Sequence, residues 1–268
     1  VPASPVKPRK TLIISISLVI GLMLGIVLAL LLEYLDNTVR SGEDVANKLE
    51  VPLLGILPWV PGRHNKFELQ RGFLKNFNPA FSEAVRTLRT GILMSALDDP
   101  HKVVLITSSV PEEGKTSVSM NLAFALAQVK RTCLIDADMR RPSVYKVMGG
   151  ELNMPGLSNL VAGTEPVNKC VYEHESGLFY IPSGPIPPNP SELLSSKRFA
   201  DVLNKLESMF DVILIDSPPV QLVSDATILA GVANAMVFVV RADSTPYQVS
   251  KGAIQLLKKG RAHLLGVV

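Results

Sequence analysis

The sequence contains an uninterrupted run of 22 residues without a charged side chain, from Thr11 to Leu32. An α-helix of this length extends about 33 Å, which is enough to cross the hydrocarbon core of a bilayer. A signal peptide has a shorter apolar core, of about 7–15 residues, followed by small residues at a cleavage site. The acidic Glu33-Tyr-Leu-Asp36 follows instead. The run therefore predicts one transmembrane helix over residues 11–32 and excludes a purely soluble chain.

The overall composition excludes three further classes of protein. The net charge is only +3, which gives no support for nucleic-acid binding as the main role. Apolar residues make up 47% of the chain, too many for intrinsic disorder. Two cysteines, Cys133 and Cys170, are too few for a disulfide framework or a zinc site. Cys133 lies in an apolar run and is predicted to be a core residue.

The chain divides into four segments by composition. Residues 1–10 carry a proline at every third position and predict an extended flank. After the apolar run, residues 33–78 form a juxtamembrane connector, and residues 79–268 form a domain large enough to bury a core. Because residues 264–268 read as the middle of a core strand and the chain does not begin with Met, we expect a C-terminally truncated fragment of a longer protein.

Residues 79–268 alternate short apolar runs with helical patterns. The predicted strands are Val103–Thr107, Thr132–Ile135, Leu178–Ile181, Val212–Ile215, Ala235–Val240 and Leu264–Val268. The predicted helices are Lys115–Lys130, Ser191–Met209, Val223–Gly231 and Gln248–Lys259. Strands that are continuously apolar and separated by helices predict an α/β fold, a doubly wound parallel sheet covered on both faces.

A phosphate-binding loop follows the first predicted strand. Gly114-Lys115-Thr116 matches the end of the P-loop pattern and leads directly into a helix, although Ser109 replaces the first glycine of that pattern. Backbone N–H groups and the helix N-terminus can still hold phosphates. Lys115 supplies a positive charge for the terminal phosphates, and the Thr116 hydroxyl is a ligand for Mg²⁺.

Two acidic motifs end other predicted strands. Asp136 and Asp138 follow the second strand, and Asp216 follows the fourth. In open parallel sheets, ligands gather at the carboxyl ends of the strands. Carboxylates at that edge, opposite the Lys115 charge, suit Mg²⁺ coordination and general-base catalysis. The alternative is that one of the two motifs only caps a turn.

Together these motifs resemble those of the bacterial tyrosine kinases that are fused to polysaccharide co-polymerases. The P-loop of that family ends like Gly114–Thr116, and its second and third motifs are similar to Cys133–Arg140 and Ile213–Pro219. Upstream, Glu83–Arg89 matches its Glu-x-x-Arg-x-x-Arg motif, and Asn189–Leu194 is a further typical stretch. The resemblance extends over nearly the whole chain and implies a P-loop NTPase-like fold.

The resemblance implies an autokinase that uses ATP and Mg²⁺ to phosphorylate tyrosines of neighbouring subunits, and thereby regulates capsular or exopolysaccharide polymerisation and export. The residues implied in catalysis are Lys115, Asp136, Asp138 and Asp216. The residues implied in ATP binding are Ser109, Pro111, Glu113, Gly114, Lys115, Thr116, Ser117 and Arg241. The residues implied in holding Mg²⁺ are Thr116, Asp138 and Asp216. Either Asp136 or Asp138 would accept the tyrosine proton.

The implied partners are further copies in a ring, the polysaccharide export machinery and a tyrosine phosphatase. Ring assembly is implied for Glu83, Arg86 and Arg89. A simpler interpretation is that Glu83 and Arg86 only form an ion pair along one helix face. The acceptor tyrosines of the family lie in a C-terminal cluster, which this sequence does not contain.

The local charge count and the family resemblance predict opposite orientations of this helix in the membrane. Lys7, Arg9 and Lys10 precede the apolar run, so the positive-inside rule places the N-terminus in the cytoplasm. The resemblance implies an earlier membrane helix, an external Pro-rich flank and a kinase domain on the cytoplasmic side of the bacterial inner membrane. We follow the resemblance, because the local charge count ignores any earlier span.

Two other functions remain open. ATPase switches of the MinD and ParA type share the deviant P-loop but carry an additional lysine five residues before the P-loop lysine, where this chain has Val110. That difference favours the kinase. The chain could also be a structural co-polymerase subunit that sets polysaccharide length and whose nucleotide site is secondary.

Overall fold

The chain forms two compact units, one ending at Thr38 and the other beginning at Val39. The computed structural model describes residues 10–35, 37–60, 66–95, 101–260 and 262–268, with the backbone alone at 32–35 and 66. The predicted N-terminal flank therefore lies outside the described residues, except for Lys10.

The first unit contains one long helix, α1 (Lys10–Leu35). Its 22-residue stretch Lys10–Leu31 contains an 18-residue window with a mean hydropathy of 2.8, none of which is buried, so the helix is long and apolar enough to cross a membrane. A helix that is apolar on every face requires an apolar environment. The predicted helix over 11–32 is present, with one additional residue at its start and three at its end.

The second unit is built on a seven-stranded sheet. Its strands are β1 (Val103–Ser108), β2 (Thr132–Asp136), β3 (Tyr172–Glu173), β4 (Phe179–Ile181), β5 (Val212–Asp216), β6 (Ala235–Val239) and β7 (His263–Val267). Their order is β3-β4-β2-β5-β1-β6-β7, and every neighbouring pair is parallel except β3 and β4. The carboxyl ends of the parallel strands therefore meet at one edge of the sheet.

Helices cover both faces of this sheet. Those of the second unit are α2 (Gly42–Asp44), a π-helical turn (Val45–Leu49), α3 (Lys66–Gln70), α4 (Gly72–Lys75), α5 (Pro79–Ser95), α6 (Lys115–Ala127), α7 (Val144–Val147), α8 (Leu157–Ala162), α9 (Val167–Cys170), α10 (Pro190–Ser195), α11 (Lys197–Glu207), α12 (Asp225–Ala230) and α13 (Tyr247–Leu257). Successive residues of β1 point to opposite faces, and both faces are buried: Leu105 belongs to the core with α11 to α13, and Ile106 to the core with α5 and α6. The doubly wound α/β prediction is therefore confirmed.

The six predicted strands are present, each end within one residue of its predicted position. The predicted helix Ser191–Met209 is instead two helices, α10 and α11. Ser196 interrupts it in an extended conformation, and its hydroxyl accepts a hydrogen bond from the Phe199 N–H at 3.2 Å, which caps α11. The sequence does not predict β3, because a strand of two residues is too short to show an apolar run or an alternation.

The connector packs on the domain as part of its core. Val45 and Leu49 are buried, and the Leu54 N–H donates to the Val267 carbonyl at 2.8 Å. The Val267 N–H donates in turn to the Pro52 carbonyl at 2.9 Å, so this part of the connector extends the sheet beyond β7. The compact unit thus begins 40 residues before the boundary predicted at residue 79.

Candidate active site

The P-loop connects β1 to α6 at the carboxyl edge of the sheet. Gly114 lies immediately before α6 with φ 92°, a left-handed conformation that a glycine adopts without steric cost. Pro111 is exposed in the loop, and Lys115, Thr116 and Ser117 form the first turn of α6. The N-terminus of this 13-residue helix and the loop N–H groups provide a site for phosphate, as the sequence predicts.

The side chains of Ser109 and Glu113 bind within the protein. The Ser109 hydroxyl donates to the Ser250 hydroxyl at 3.0 Å, and Glu113 accepts from the Val110 N–H at 2.8 Å and from the Thr245 hydroxyl at 2.7 Å. This leaves their backbone groups as the parts that can meet a phosphate. The sequence did not single out Thr245 or Ser250, since neither belongs to a recognisable motif.

The Glu113 carboxyl is almost completely buried. Burial raises its pKa above the usual value, while hydrogen bonds from the Val110 N–H and the Thr245 hydroxyl act in the opposite direction. The charged form of this side chain therefore depends on those donors.

Three carboxylates gather beside the P-loop. Asp136 and Asp216 are register neighbours at the ends of β2 and β5. Asp138 follows Asp136 in the loop after β2, and its Oδ2 lies 3.7 Å from the Lys115 Nζ. The structure thus brings together Lys115, Asp136, Asp138 and Asp216, the four residues proposed from the sequence as catalytic.

Asp136 organises the loop after β2. Its Oδ1 accepts from the Asp138 N–H at 3.2 Å, and its Oδ2 accepts from the N–H groups of Ser143 and Val144, both at 3.0 Å. The side chain is fully buried, and burial, followed by the nearby Asp216, raises its pKa to about 8. Both oxygens of this carboxyl are thus engaged in holding the loop.

Asp216 has one carboxylate oxygen that is occupied and one that is not. Its Oδ1 accepts from the Ser119 hydroxyl at 2.9 Å, whereas its Oδ2 is buried and has no hydrogen-bond partner among the residues that the structure describes. Burial raises the pKa of this carboxyl, while the Lys115 charge and the hydroxyls of Thr116 and Ser119 oppose the shift. A buried oxygen without a partner is costly, and it fits the position of a ligand for a cation.

The protein offers few ligands of its own for a metal ion. Across the described ranges, no group of three or more His, Cys, Asp or Glu side chains is placed to hold one. Mg²⁺ commonly takes one or two protein oxygens and completes its shell with water and substrate phosphates. The residues predicted for Mg²⁺, namely Thr116, Asp138 and Asp216, fit that kind of site and not a cage built from protein alone.

A cavity of about 560 Å³ opens beside the P-loop. Its walls include Gly114 and Ser117, the residue Arg241 that follows β6, and Ile56 and Trp59 of the connector. The cavity is large enough for a nucleoside. Arg241 borders this cavity, and its role beside the base of ATP stays a prediction.

Arg140 does not contact the acidic residues of its own motif. Its guanidinium donates to both oxygens of Asp225, at 3.0 and 3.3 Å, and to the Ser191 hydroxyl at 3.1 Å. Asp225 is fully buried on α12, and Ser191 belongs to α10. Arg140 therefore anchors the loop after β2 to these two helices through an ion pair.

The three residues predicted to assemble a ring lie on α5 but differ in their contacts. Glu83 and Arg86 form an ion pair of 3.0 Å, and both are substantially exposed. Arg89 instead donates to the Ala125 carbonyl at 3.1 Å and to the Gln128 Oε1 at 3.3 Å, at the end of α6. The first two are available to another molecule, whereas Arg89 connects α5 to the helix of the P-loop.

Two family models match the sequence. Residues 100–268 match the ParA model, described as an NUBPL iron-transfer P-loop NTPase. Residues 1–34 match a G-rich domain found on putative tyrosine kinases. The first match covers the sheet and the candidate site, and the second covers most of α1.

Curated relatives and a solved structure are similar over most of the chain. The tyrosine-protein kinase YwqD of Bacillus subtilis is 38% identical over 189 residues, which are 70% of this chain and 79% of the relative. The tyrosine-protein kinase ptk of Acinetobacter johnsonii is 32% identical over 238 residues, 85% of this chain and 32% of the relative. The kinase domain of the Escherichia coli tyrosine kinase ETK has a TM-score of 0.77 and 26% identity, with 85% of this chain and 92% of that structure covered.

The relatives differ from this chain in length. The chain spans about a third of ptk, and similar shares of most of the other relatives. It spans most of YwqD and of the isolated ETK kinase domain. The similarity is therefore concentrated on the unit that carries the P-loop and on the helix before it.

Proposed function

The chain belongs to the bacterial tyrosine-protein kinases built on the ParA type of P-loop NTPase, and we propose that it transfers the terminal phosphoryl group of ATP to tyrosines of neighbouring copies. The observation that carries this proposal is the pair formed by Lys115 and Asp138. The P-loop cation Lys115 and the Oδ2 atom of the Asp138 carboxylate lie 3.7 Å apart at the carboxyl edge of the sheet. Phosphoryl transfer to a hydroxyl needs both a positive charge and a proton acceptor at that place.

ATP binds with its phosphates on the P-loop and its base in the adjoining cavity. The loop N–H groups and the N-terminus of α6 hold the phosphates, and Lys115 neutralises the charge that develops on the transferred group. The cavity bordered by Arg241 and Trp59 accommodates the nucleoside. Because this transfer depends mainly on positioning and on charge stabilisation, loss of Lys115 should remove most of the rate.

The residues around Asp216 suit a bound Mg²⁺. The Thr116 hydroxyl and the free Oδ2 of Asp216 would hold the ion, with Asp138 in contact directly or through water. When bound, the ion supplies positive charge that neutralises the β- and γ-phosphates.

Asp138 is the better candidate for the base of the two carboxylates considered. Both oxygens of Asp136 accept N–H groups of its own loop, whereas Asp138 uses Oδ1 for the Arg141 N–H and keeps Oδ2 beside Lys115. A base must reach the proton that it accepts. In this proposal Asp138 takes the proton of the incoming tyrosine hydroxyl, and Asp136 holds the loop that carries Asp138.

The proposed setting is the inner membrane of a bacterium, with α1 as the membrane helix and the nucleotide site on the cytoplasmic side, where ATP is present. Several copies would assemble through the exposed end of α5 at Glu83 and Arg86. The proposed role is regulation of capsular or exopolysaccharide polymerisation and export, with a tyrosine phosphatase that reverses the modification. The length and apolar character of α1 support the membrane location, and the exposed ion pair on α5 supports an assembly surface there.

The test is a transfer assay in detergent with Mg²⁺ and labelled ATP. The acceptor is a longer natural copy of the protein in which Lys115 is replaced by Met, so that all label on it comes from the intact chain. Phosphotyrosine on the acceptor that disappears when the chain itself carries Lys115→Met supports an intermolecular tyrosine kinase. Free phosphate without phosphotyrosine would instead favour an ATPase switch, and neither product would leave a nucleotide-binding scaffold.

A further inference from the structure

We propose that Thr245 is a positioning residue of the nucleotide site, which holds the P-loop in its phosphate-binding shape through the buried carboxylate of Glu113. This inference rests on the nucleotide binding proposed above. Thr245 lies between β6 and α13, and it belongs to none of the sequence motifs of the site. Its role would be to fix the loop, without touching the nucleotide.

The backbone of the P-loop adopts a conformation that contacts from outside the loop must stabilise. Ser109 replaces the first glycine of the ordinary pattern, and Glu112 adopts a left-handed conformation with φ 66°. For a residue with a Cβ atom this conformation costs free energy and persists only where the surroundings enforce it. The loop therefore requires contacts from outside itself to keep this shape.

Glu113 provides one set of these contacts. Its two carboxylate oxygens bind opposite sides of the site, since Oε2 accepts the Val110 N–H within the loop and Oε1 accepts the Thr245 hydroxyl at 2.7 Å. Glu113 is 6% exposed and Thr245 is 2% exposed. A hydrogen bond between a buried hydroxyl and a buried carboxylate is short and strong, and it fixes the distance between the two segments.

A second hydrogen bond joins the same two segments. The hydroxyls of Ser109 and Ser250 lie 3.0 Å apart, and both residues are completely buried. Ser250 belongs to the first turn of α13, five residues after Thr245. The two bonds thus fix the P-loop at both of its ends to one wall, formed by the start of α13 and the residues before it.

Loss of the Thr245 hydroxyl would change the loop and not only remove one contact. The Oε1 of Glu113 would lose its hydroxyl donor, and the buried carboxylate would depend on backbone N–H groups alone, which is costly. The side chain would then turn toward water or toward other N–H groups of the loop, and those groups would no longer be free for phosphate. Binding would have to restore the original shape at the expense of affinity.

The experiment measures the Kd of ADP, with Mg²⁺ present, for the full 268-residue chain in detergent. Thr245→Val removes the hydroxyl and keeps the shape of the side chain, and it should raise the Kd about five- to tenfold. Thr245→Ser keeps the hydroxyl and should bind within about twofold of the wild type. The matched control is Thr132→Val, which also removes a fully buried hydroxyl, one that donates to the Lys130 carbonyl at the opposite end of β2.

A purely structural role would affect Thr245→Val and Thr132→Val alike, so the proposal requires that the Kd rises only for the first while both retain similar Tm values. A double variant with Glu113→Gln should lose no more affinity than the worse of the two single variants, because the two residues act through one bond. Unchanged affinity in Thr245→Val, or equal losses in Thr245→Val and Thr132→Val, would overturn the inference.

The wild-type measurement distinguishes a failure of the proposed nucleotide site from a failure of the proposed role of Thr245. Failure of the wild type to bind ADP, with no difference from Lys115→Met, would contradict the proposed nucleotide site itself. Normal wild-type binding together with a normal Kd for Thr245→Val would contradict only the role of Thr245.

Discussion

At the scale of single residues, the carboxylates of the site differ in the freedom of their oxygens. Both oxygens of Asp136 accept hydrogen bonds from N–H groups, and one oxygen of Asp216 accepts a hydrogen bond from the Ser119 hydroxyl. Asp138 uses one oxygen for the Arg141 N–H and leaves the other 3.7 Å from Lys115. In the proposed mechanism Asp136 holds the loop, Asp216 binds the cation, and Asp138 accepts the proton while it also contacts the cation directly or through water.

The first prediction concerns Asp138. Asp138→Asn keeps the size of the side chain but removes its basicity, so tyrosine phosphorylation should slow by about 10²-fold or more. Asp201→Asn is the matched control, because Asp201 is exposed on α11 and should leave the rate unchanged. The measurement is the initial rate of phosphotyrosine formation at saturating ATP. A rate in Asp138→Asn within a factor of three of the wild type would contradict the assignment of the base.

A second prediction follows from the raised pKa of Asp136, which is about 8. The unfolded chain releases this proton near pH 4, whereas the folded chain retains it up to about pH 8. The Asp136 carboxyl therefore makes its full contribution to the free energy of unfolding below pH 4, and this contribution is lost as the pH rises to about 8. Without Mg²⁺ and nucleotide, the Tm should fall more steeply between pH 5 and 8 in the wild type than in Asp136→Asn. Parallel Tm profiles would contradict the raised pKa.

The residues of the site that could be predicted from sequence are those whose spacing has a physical reason. Asp136 and Asp216 end strands at the carboxyl edge of the sheet, and Lys115 begins the helix that follows the loop after β1. The partners of Glu113 and Arg140 could not be predicted, because Thr245 and Asp225 lie in segments that are far away in sequence. Only the folded chain brings a hydroxyl from the β6–α13 segment against a P-loop glutamate.

At the scale of elements, the connector also has contacts with distant segments that its own sequence does not predict. The residues near Glu43–Glu50 are predicted to form a short helical stretch, and the structure has a π-helical turn there in which Val45 and Leu49 are buried. The pattern does not tell which surface covers the two side chains. Strand positions were predictable because a strand buried on both faces is apolar throughout, whereas the hydrogen bonds of Leu54 with the far edge of the sheet depend on the complete fold.

The third prediction tests whether the connector belongs to the domain. Leu49→Ala removes a side chain that is 2% exposed and should lower the free energy of unfolding by about 2–5 kcal/mol. The control is Leu53→Ala in the same segment, whose side chain is 41% exposed and should cost clearly less. Urea unfolding in detergent provides both values. A domain that began at residue 79 would make the two substitutions equally mild.

The fourth prediction separates two roles on α5. Arg89→Ala removes the hydrogen bonds to Ala125 and Gln128, so it should lower the free energy of unfolding by about 1 kcal/mol at any protein concentration. Glu83→Ala removes only an exposed ion pair with Arg86, so it should leave this free energy nearly unchanged and weaken self-association. Urea unfolding and analytical sedimentation measure the two effects. Normal self-association of Glu83→Ala would contradict assembly through this end of α5.

At the scale of the whole molecule, the orientation of α1 decides whether the site can meet ATP. Lys7, Arg9 and Lys10 favour a cytoplasmic N-terminus when they are counted alone, which would place everything after α1 outside the cell. A P-loop outside the cell would have no ATP to bind. The positive-inside rule describes the complete set of spans in a protein, so an earlier span can reverse what one local charge count predicts.

The fifth prediction tests this orientation with cysteine labelling. Cys133 and Cys170 are both completely buried, so neither should react with a membrane-impermeant maleimide in the folded protein. In spheroplasts that contain the natural protein, Ser4→Cys before α1 should be labelled from outside. Ser208→Cys, at an exposed position after α11, should be labelled only once the membrane is opened. The reverse pattern would agree with the local charge count, place the nucleotide site outside the cell, and exclude ATP-dependent phosphorylation as the function of this chain.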